Sequence, residues 1–356
     1  MAVLDFTSAL YLGLRHQGPS LRPWTGLTTG KPAALEPAPG SAAIAGRFAV
    51  LVGCERATPL TSTLHLFCDL FGLLARDRVR IYMDEGTYAI ARWGVERAAL
   101  HGVPVREFQH RDATRLRALI EQDRGTKRRP IIVADGFCPS CGGPAPVTEF
   151  LQCVAPHNGY VVLDDTQALG VLGRQGGGSL RWQGVKSPDV IVGSSLAKGF
   201  GSPMAMLAGS ASLIRCFEEQ SATRVHCSPP SLAALHAAEH ALVINSAVGG
   251  RLRRHLAQLV HRFHAGLHAI GLGVDGGLFP VQTLRPAGIA ADILYQRLLR
   301  LGIRTVLMRR CRELGTCVAF LITALHGFSD FDRAVEAIGR AMKLDHSTQQ
   351  LTGRAS

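Results

Sequence analysis

Residues 189–209 read DVIVGSSLAKGFGSPMAMLAG. The opening run, 189–192, is β-branched and suits a buried strand, and it leads into a hydroxyl-rich turn at Ser194 and Ser195. Lys198 follows between that turn and a second apolar run at 204–208, with glycines at 199 and 201. A lysine in a turn between two apolar strands is out of place as a simple surface charge. Burial disfavours the ammonium form, and the neutral amine is the form that does Schiff-base chemistry. A structural lysine is the plain alternative. Upstream, residues 160–179 read YVVLDDTQALGVLGRQGGGS. Here an apolar strand ends in Asp164 and Asp165 and runs into a glycine-rich loop. Open α/β sheets bind ligands beyond the carboxyl ends of their strands, where such a carboxylate sits. A helix cap followed by a solvated turn is the plain reading of the same pair.

The two stretches reinforce each other. An amine that can form a Schiff base, an acid to hold a pyridine nitrogen protonated, and hydroxyl and N–H donors for a phosphate are what pyridoxal 5'-phosphate (PLP) requires. Lys198, Asp164 and Ser195 supply those three types in one short span.

The surrounding pattern alternates. Apolar, strand-like runs stand at 48–52, 80–83, 130–134 and 160–163, with amphipathic segments at 61–75, 87–101 and 114–122. Strands separated by helix-length patterns predict βαβ units and a mostly parallel central sheet. Residues 30–45, rich in proline and alanine, read as an ordered connector. A long helical stretch at 231–270, with a bend expected at Gly249-Gly250, leads to a smaller C-terminal α+β domain. That domain has strands near 279–284, 303–308 and 317–323 and helices near 289–301 and 330–342. The predicted division is an N-terminal segment 1–45, a large α/β domain 46–245 and a small domain 246–356.

Composition narrows the class. The 356 residues are 47% hydrophobic and only 19% charged, which suits a compact enzyme with a large core. The net charge of +12 gathers at 124–129 (RGTKRR), 251–254 and 304–312. Such a surface favours anionic partners. Aromatics are 6% and are not interleaved with the basic runs, so no nucleic-acid module is expected. No apolar stretch has the length of a membrane span. The nine cysteines and the absence of a signal-like opening predict a reduced, cytoplasmic protein.

The two lysine and aspartate segments resemble fold-type-I PLP enzymes, in particular the α-oxoamine synthases. The opening LDFTSALYLGL (4–14) is similar to that family's NFxSNxYLGL, and Phe108-Gln-His-Arg-Asp112 resembles its FxHND. The resemblance implies an α/β PLP-dependent transferase fold (type I) and a homodimer. It implies Lys198 as the Schiff-base lysine and proton carrier, Asp164 on the pyridine nitrogen and Ser195 on the phosphate. Tyr88 falls where the family stacks a histidine on the ring; a core tyrosine is the alternative. Gln167 replaces the histidine that contacts the phenolic oxygen, and it donates without carrying charge. The family's SGFxAN phosphate turn is matched to 52–57, where Gly53 alone is kept. His226 stands closest to the hydroxyl that the family offers to the phosphate across the dimer. In the strand of the family's carboxylate-clamping arginine, this chain has Cys317-Val318-Ala319; Arg309 or Arg310 is the nearest substitute.

The implied reaction is condensation of an amino substrate with an acyl-CoA or acyl-carrier-protein thioester. The alternatives are an aminotransferase on the same fold and a non-catalytic partner subunit. Cys138-Pro-Ser-Cys141 followed by Cys153 and His157 has a spacing that can hold zinc, but no metal is expected: a structural thiol cluster is the preferred reading. Asp135 either orients groups beside the cofactor or caps the next turn. His65, His101 and His110 read as surface or core histidines.

Overall fold

The computed structural model describes residues 3–275, 277–284, 288–309 and 315–352. The chain forms two compact units. The larger comprises Leu14–Cys138 and Pro144–Gly249; the smaller comprises Met1–Gly13, Pro139–Gly143 and Gly250–Ser356.

The larger unit is built on seven strands: β1 (Arg56–Leu60), β2 (Val79–Asp84), β3 (Val105–Phe108), β4 (Arg129–Asp135), β5 (Tyr160–Asp164), β6 (Val190–Ser195) and β7 (Ala205–Gly209). Their order across the sheet is β1-β7-β6-β5-β4-β2-β3. β7 alone runs against its neighbours. β4, β5 and β6 are buried along nearly their whole length, as strands covered on both faces must be.

Four helices matter for the site: α1 (Ser41–Val52), α2 (Thr63–Leu74), α3 (Ala89–Leu100) and α4 (Ala113–Gln122). Leu66, Phe67, Leu70 and Phe71 line one face of α2 at helical spacing and pack into a core with Ile81, Ile131, Val162 and Ile191 from the sheet. Each such side chain contributes roughly 1.5–3 kcal/mol on burial.

The run at 48–52 is helix, not strand. Ile44, Ala45, Phe48, Ala49, Leu51 and Val52 are buried while Val50 is 71% exposed, a helical stripe that begins before the apolar run itself. The strand lies just beyond, at Arg56–Leu60, where it pairs only with β7. An edge position accommodates Pro59, which has no N–H to offer a second neighbour.

Within the smaller unit, Leu4–Asp5 pairs in parallel with Ile303–Arg304. Strands β8 (Val274–Asp275), β9 (Val281–Leu284), β10 (Val306–Arg309) and β11 (Thr316–Leu321) form an antiparallel sheet in the order β8-β9-β11-β10. Phe6, from the opening motif, packs on Phe320 at 5.3 Å and His326 at 4.6 Å between centroids, so that motif anchors this unit's core. The long helix Leu232–Ala269 is continuous through Gly249 and Gly250. Neither glycine removes a backbone donor, and the cost of about 1 kcal/mol each against alanine is tolerated in 38 residues of helix.

Candidate active site

The parallel strands bring their carboxyl ends together along one edge of the sheet. Asp135 lies level with Asp164, and Asp164 is level with Gly193, two residues before Ser195. Asp84 ends β2 on the far side of β4. A row of Ser195, Asp164, Asp135 and Asp84 follows from strand direction alone.

Two glycine-rich loops meet behind this row. A Cβ on Gly199 would come 2.2 Å from the Leu169 carbonyl oxygen, and one on Gly170 would come 2.8 Å from Gly199 Cα. The loop after β5 and the lysine turn after β6 therefore pack backbone to backbone. Thr166 ties them: its N–H donates to Asp164 Oδ1 at 3.0 Å, and its Oγ1 accepts from Ser195 N–H at 2.9 Å. His16, from the start of the larger unit, braces the far side of the turn through Nε2 and the Phe200 carbonyl, 2.7 Å apart.

Lys198 sits in that turn, half-buried, with Nζ 5.9 Å from the centroid of the Tyr88 ring. Burial lowers its pKa, while Asp164 and Asp135 oppose the shift. Asp164 is buried, and its pKa is raised by that burial against the pull of Thr166 and of the Lys198 charge. Asp135 is raised further, by burial and then by Asp164 beside it. One buried acid, one half-buried acid and one amine thus share a single electrostatic site.

Tyr88 is aimed from below. Its backbone N–H donates to Asp135 Oδ1 at 2.9 Å as it caps α3. Asp84 fixes the preceding turn by accepting from Gly86 N–H and Arg111 N–H, both at 2.7 Å, and lies 2.6 Å from His110 Nδ1. A Cβ at Gly86 would fall 2.4 Å from His110 Nδ1, so glycine alone fits there. Tyr88 itself is 57% exposed, which removes the core-tyrosine reading.

Asp165 plays a different part from Asp164. Its carboxyl accepts from Ser179 N–H at 2.9 Å and from Ser179 Oγ at 2.5 Å, at the start of the short helix Ser179–Gln183. Burial pushes it up to about 7. Gly136 and Gly178 wall it in, since a Cβ on either would lie 2.2 Å or 1.9 Å from its oxygens.

Gln167 is half-buried in the loop after β5, and Ser195 ends β6. His226 is exposed at the end of a short helix, Ala222–His226. Gly53 does not join the row. It caps the C-terminal end of α1 with φ 90°, three residues before β1 begins. β1 and β6 are each antiparallel to β7 and so run the same way. That places Gly53 at the opposite edge of the sheet, and corrects the match of the phosphate turn to 52–57. The turn at the correct edge is Thr61-Ser62, between β1 and α2, where Ser62 Oγ caps the helix. It escaped the sequence reading because Pro59 disguised β1.

The zinc spacing does not assemble as a set of four. His110 and Cys138 place ligand atoms within 4.8 Å of each other, but neither Cys153 nor His157 joins a metal-competent group among the described residues. Cys153 is buried, with its Sγ 3.8 Å from the Ala113 carbonyl oxygen. In β11, Cys317 and Ala319 are buried and the strand carries no cation; Arg309 is exposed in β10, and Arg310 lies outside the described residues.

Comparison with known proteins gives the family. Residues 64–338 match the model of the aminotransferase class I and II family. The chain belongs to that family, and its similarities fall in the α-oxoamine synthase branch. An 8-amino-7-oxononanoate synthase of Alkalilimnicola ehrlichii is 34% identical over 188 residues, 52% of this chain and 47% of the relative. The enzyme of the same name from Halorhodospira halophila is 31% identical over 258 residues, 70% of this chain and 62% of the relative. These matches span about half to three-fifths of the curated relatives' length. A serine palmitoyltransferase from S. paucimobilis, solved with a PLP–myriocin aldimine, superposes with a TM-score of 0.84 at 14% identity, covering 96% of this chain and 88% of that one. The 8-amino-7-oxononanoate synthase of Francisella tularensis gives 0.75 at 18% identity, over 97% and 99%. No helix among the described residues is long and apolar enough to cross a membrane.

Proposed function

We propose that this chain is a PLP-dependent acyltransferase that condenses an amino substrate with an acyl-CoA or acyl-carrier-protein thioester. The observation that carries the reading is that Asp164 and Ser195 end neighbouring strands at one sheet edge, with Thr166 tying Asp164 to the turn that bears Lys198. The donor set fits the cofactor: an amine of lowered pKa, a buried acid, an exposed aromatic face and hydroxyls at two strand ends.

Lys198 would hold the cofactor's aldehyde carbon, and Asp164 its pyridine nitrogen. Ser195 and Ser62 would hold the phosphate. Tyr88 would cover a ring face, and Gln167 would donate to the phenolic oxygen. Bound there, PLP supplies an electron sink for negative charge at the substrate's α-carbon. The chain's own residues do the rest. Nζ of Lys198, its pKa lowered by burial, would take the α-proton and return one after the new bond forms. Asp164 would keep a positive charge on the pyridine nitrogen, and that charge would in turn lower the raised pKa of Asp164. Overall, a carbon–carbon bond forms at the thioester carbonyl, and a free thiol and carbon dioxide leave.

The relatives' names support this substrate class. We read the working form as a cytoplasmic homodimer in which His226 serves the phosphate of the neighbouring copy. The test is free-thiol release by PLP-loaded protein from a panel of amino acids and acyl thioesters. No release with any pair overturns the acyltransferase reading. A pyridoxamine-type spectrum formed with an amine donor and reversed by a keto acid would replace it with an aminotransferase.

A further inference from the structure

At the opposite edge of the sheet, where β2 and β4 begin, lies a cavity of about 440 Å³. Arg78, Arg124, Lys127, Arg128 and Arg129 line it, against two carboxylates, Asp77 and Asp123. Four of those five cations come from the RGTKRR run, which the proposed reaction does not use.

The carboxylates do not balance them. Asp123 is engaged by Arg80 at 2.9 Å, Arg106 at 3.3 Å and the Tyr82 hydroxyl at 3.0 Å. Asp77 comes only within 3.7 Å of Arg129, and Arg124 meets Glu121 at 3.6 Å, both longer than a charge-assisted hydrogen bond. The surplus of positive charge therefore stands open to the cavity. Its back wall is set in place: Arg128 donates to the Val79 carbonyl at 3.2 Å, and the Arg129 guanidinium lies 5.4 Å from the Tyr160 ring centroid. Arg78, Arg124 and Lys127 are exposed around it. Like charges gathered on one loop repel, and an anion is what relieves them.

We propose that this cavity binds a small polyanion carrying two or more phosphates, at a site separate from the cofactor's. The size suits a nucleotide-sized ligand. Five cations around one hollow match several phosphate oxygens better than a single carboxylate. β4 runs seven residues from Arg129 to Asp135, about 20 Å, so the ligand sits a full strand length from the acids of the active site.

Calorimetric titration of the PLP-saturated full chain tests this with tripolyphosphate, ATP and adenosine. Tripolyphosphate and ATP bind the unsubstituted protein, and adenosine does not. ATP binding more tightly marks a nucleotide site; equal affinities mark recognition of the phosphates alone. R124E/K127E, at exposed positions, weakens both by roughly tenfold or more, with an unchanged melting temperature showing that the fold is intact. R251E/R254E, in a second basic run, leaves binding unchanged. Absence of binding, binding indifferent to R124E/K127E, or equal loss in R251E/R254E would overturn the proposal.

Discussion

The two edges of the central sheet carry opposite chemistry from the same strands. At the carboxyl edge, Asp84, Asp135, Asp164 and Asp165 are buried or nearly so, with one lysine among them. At the amino edge, arginines and a lysine stand largely in solvent around an open hollow. Strand direction sets the first arrangement, because five consecutive parallel strands end together. Loop sequence sets the second. Charge at the first edge is controlled by burial and at the second by proximity, so the two respond differently to substitution, salt and pH.

The strongest way to break the contrast is at Lys198. Lys198→Ala is expected to abolish the visible absorbance of PLP-loaded protein that borohydride otherwise traps, and to cut turnover roughly a thousandfold or more. Absorbance and borohydride trapping that persist would show that another amine holds the cofactor. Asp164→Asn keeps the shape and removes the charge. Turnover should fall about a hundredfold or more while the protein still binds PLP by absorbance; an unchanged rate would separate Asp164 from the chemistry.

Packing sharpens the comparison next. Gly178→Ala places a Cβ against Asp165 at a residue with φ 84°. Urea denaturation should show a loss of about 1–3 kcal/mol, whereas Gly125→Ala at the basic edge, where nothing lies within 4 Å, should be near neutral. pH separates the edges as well. The folded Asp165 carboxyl, at about 7, holds its proton more tightly than the unfolded chain does. Its favourable contribution is therefore complete below the usual carboxylate range and is lost as pH rises through about 7. Asp165→Asn should flatten that part of the stability profile, measured by urea midpoints between pH 5 and 8. A profile as steep as the parent's would assign the slope to another group. The smallest change is expected for Tyr88→Phe, which keeps the aromatic face and should alter turnover by no more than about twofold.

Much of this was legible from residue types. Lys198, Asp164 and Ser195 fall where a β-branched run meets a polar turn, and that signal is local. The alternation of strand and helix patterns foretold the parallel sheet for the same reason. What failed was non-local. Residues 48–52 look like a strand until the buried positions before them reveal the helical stripe. Arg56–Leu60 looks like a turn because its proline is acceptable only at an edge, and edges are decided by pairing with β7. Gly53 was misplaced with them. Thr166 carries no motif signal: its value lies in joining two loops that are twenty-nine residues apart.

Pro59 has one more consequence. A sheet that ends in unpaired N–H and C=O groups is a template for further strands, including those of other molecules during folding. A proline in the terminal strand, as Pro59 is here, blunts that template. The residue that hid β1 from the sequence thus acts as a stop against runaway polymerisation.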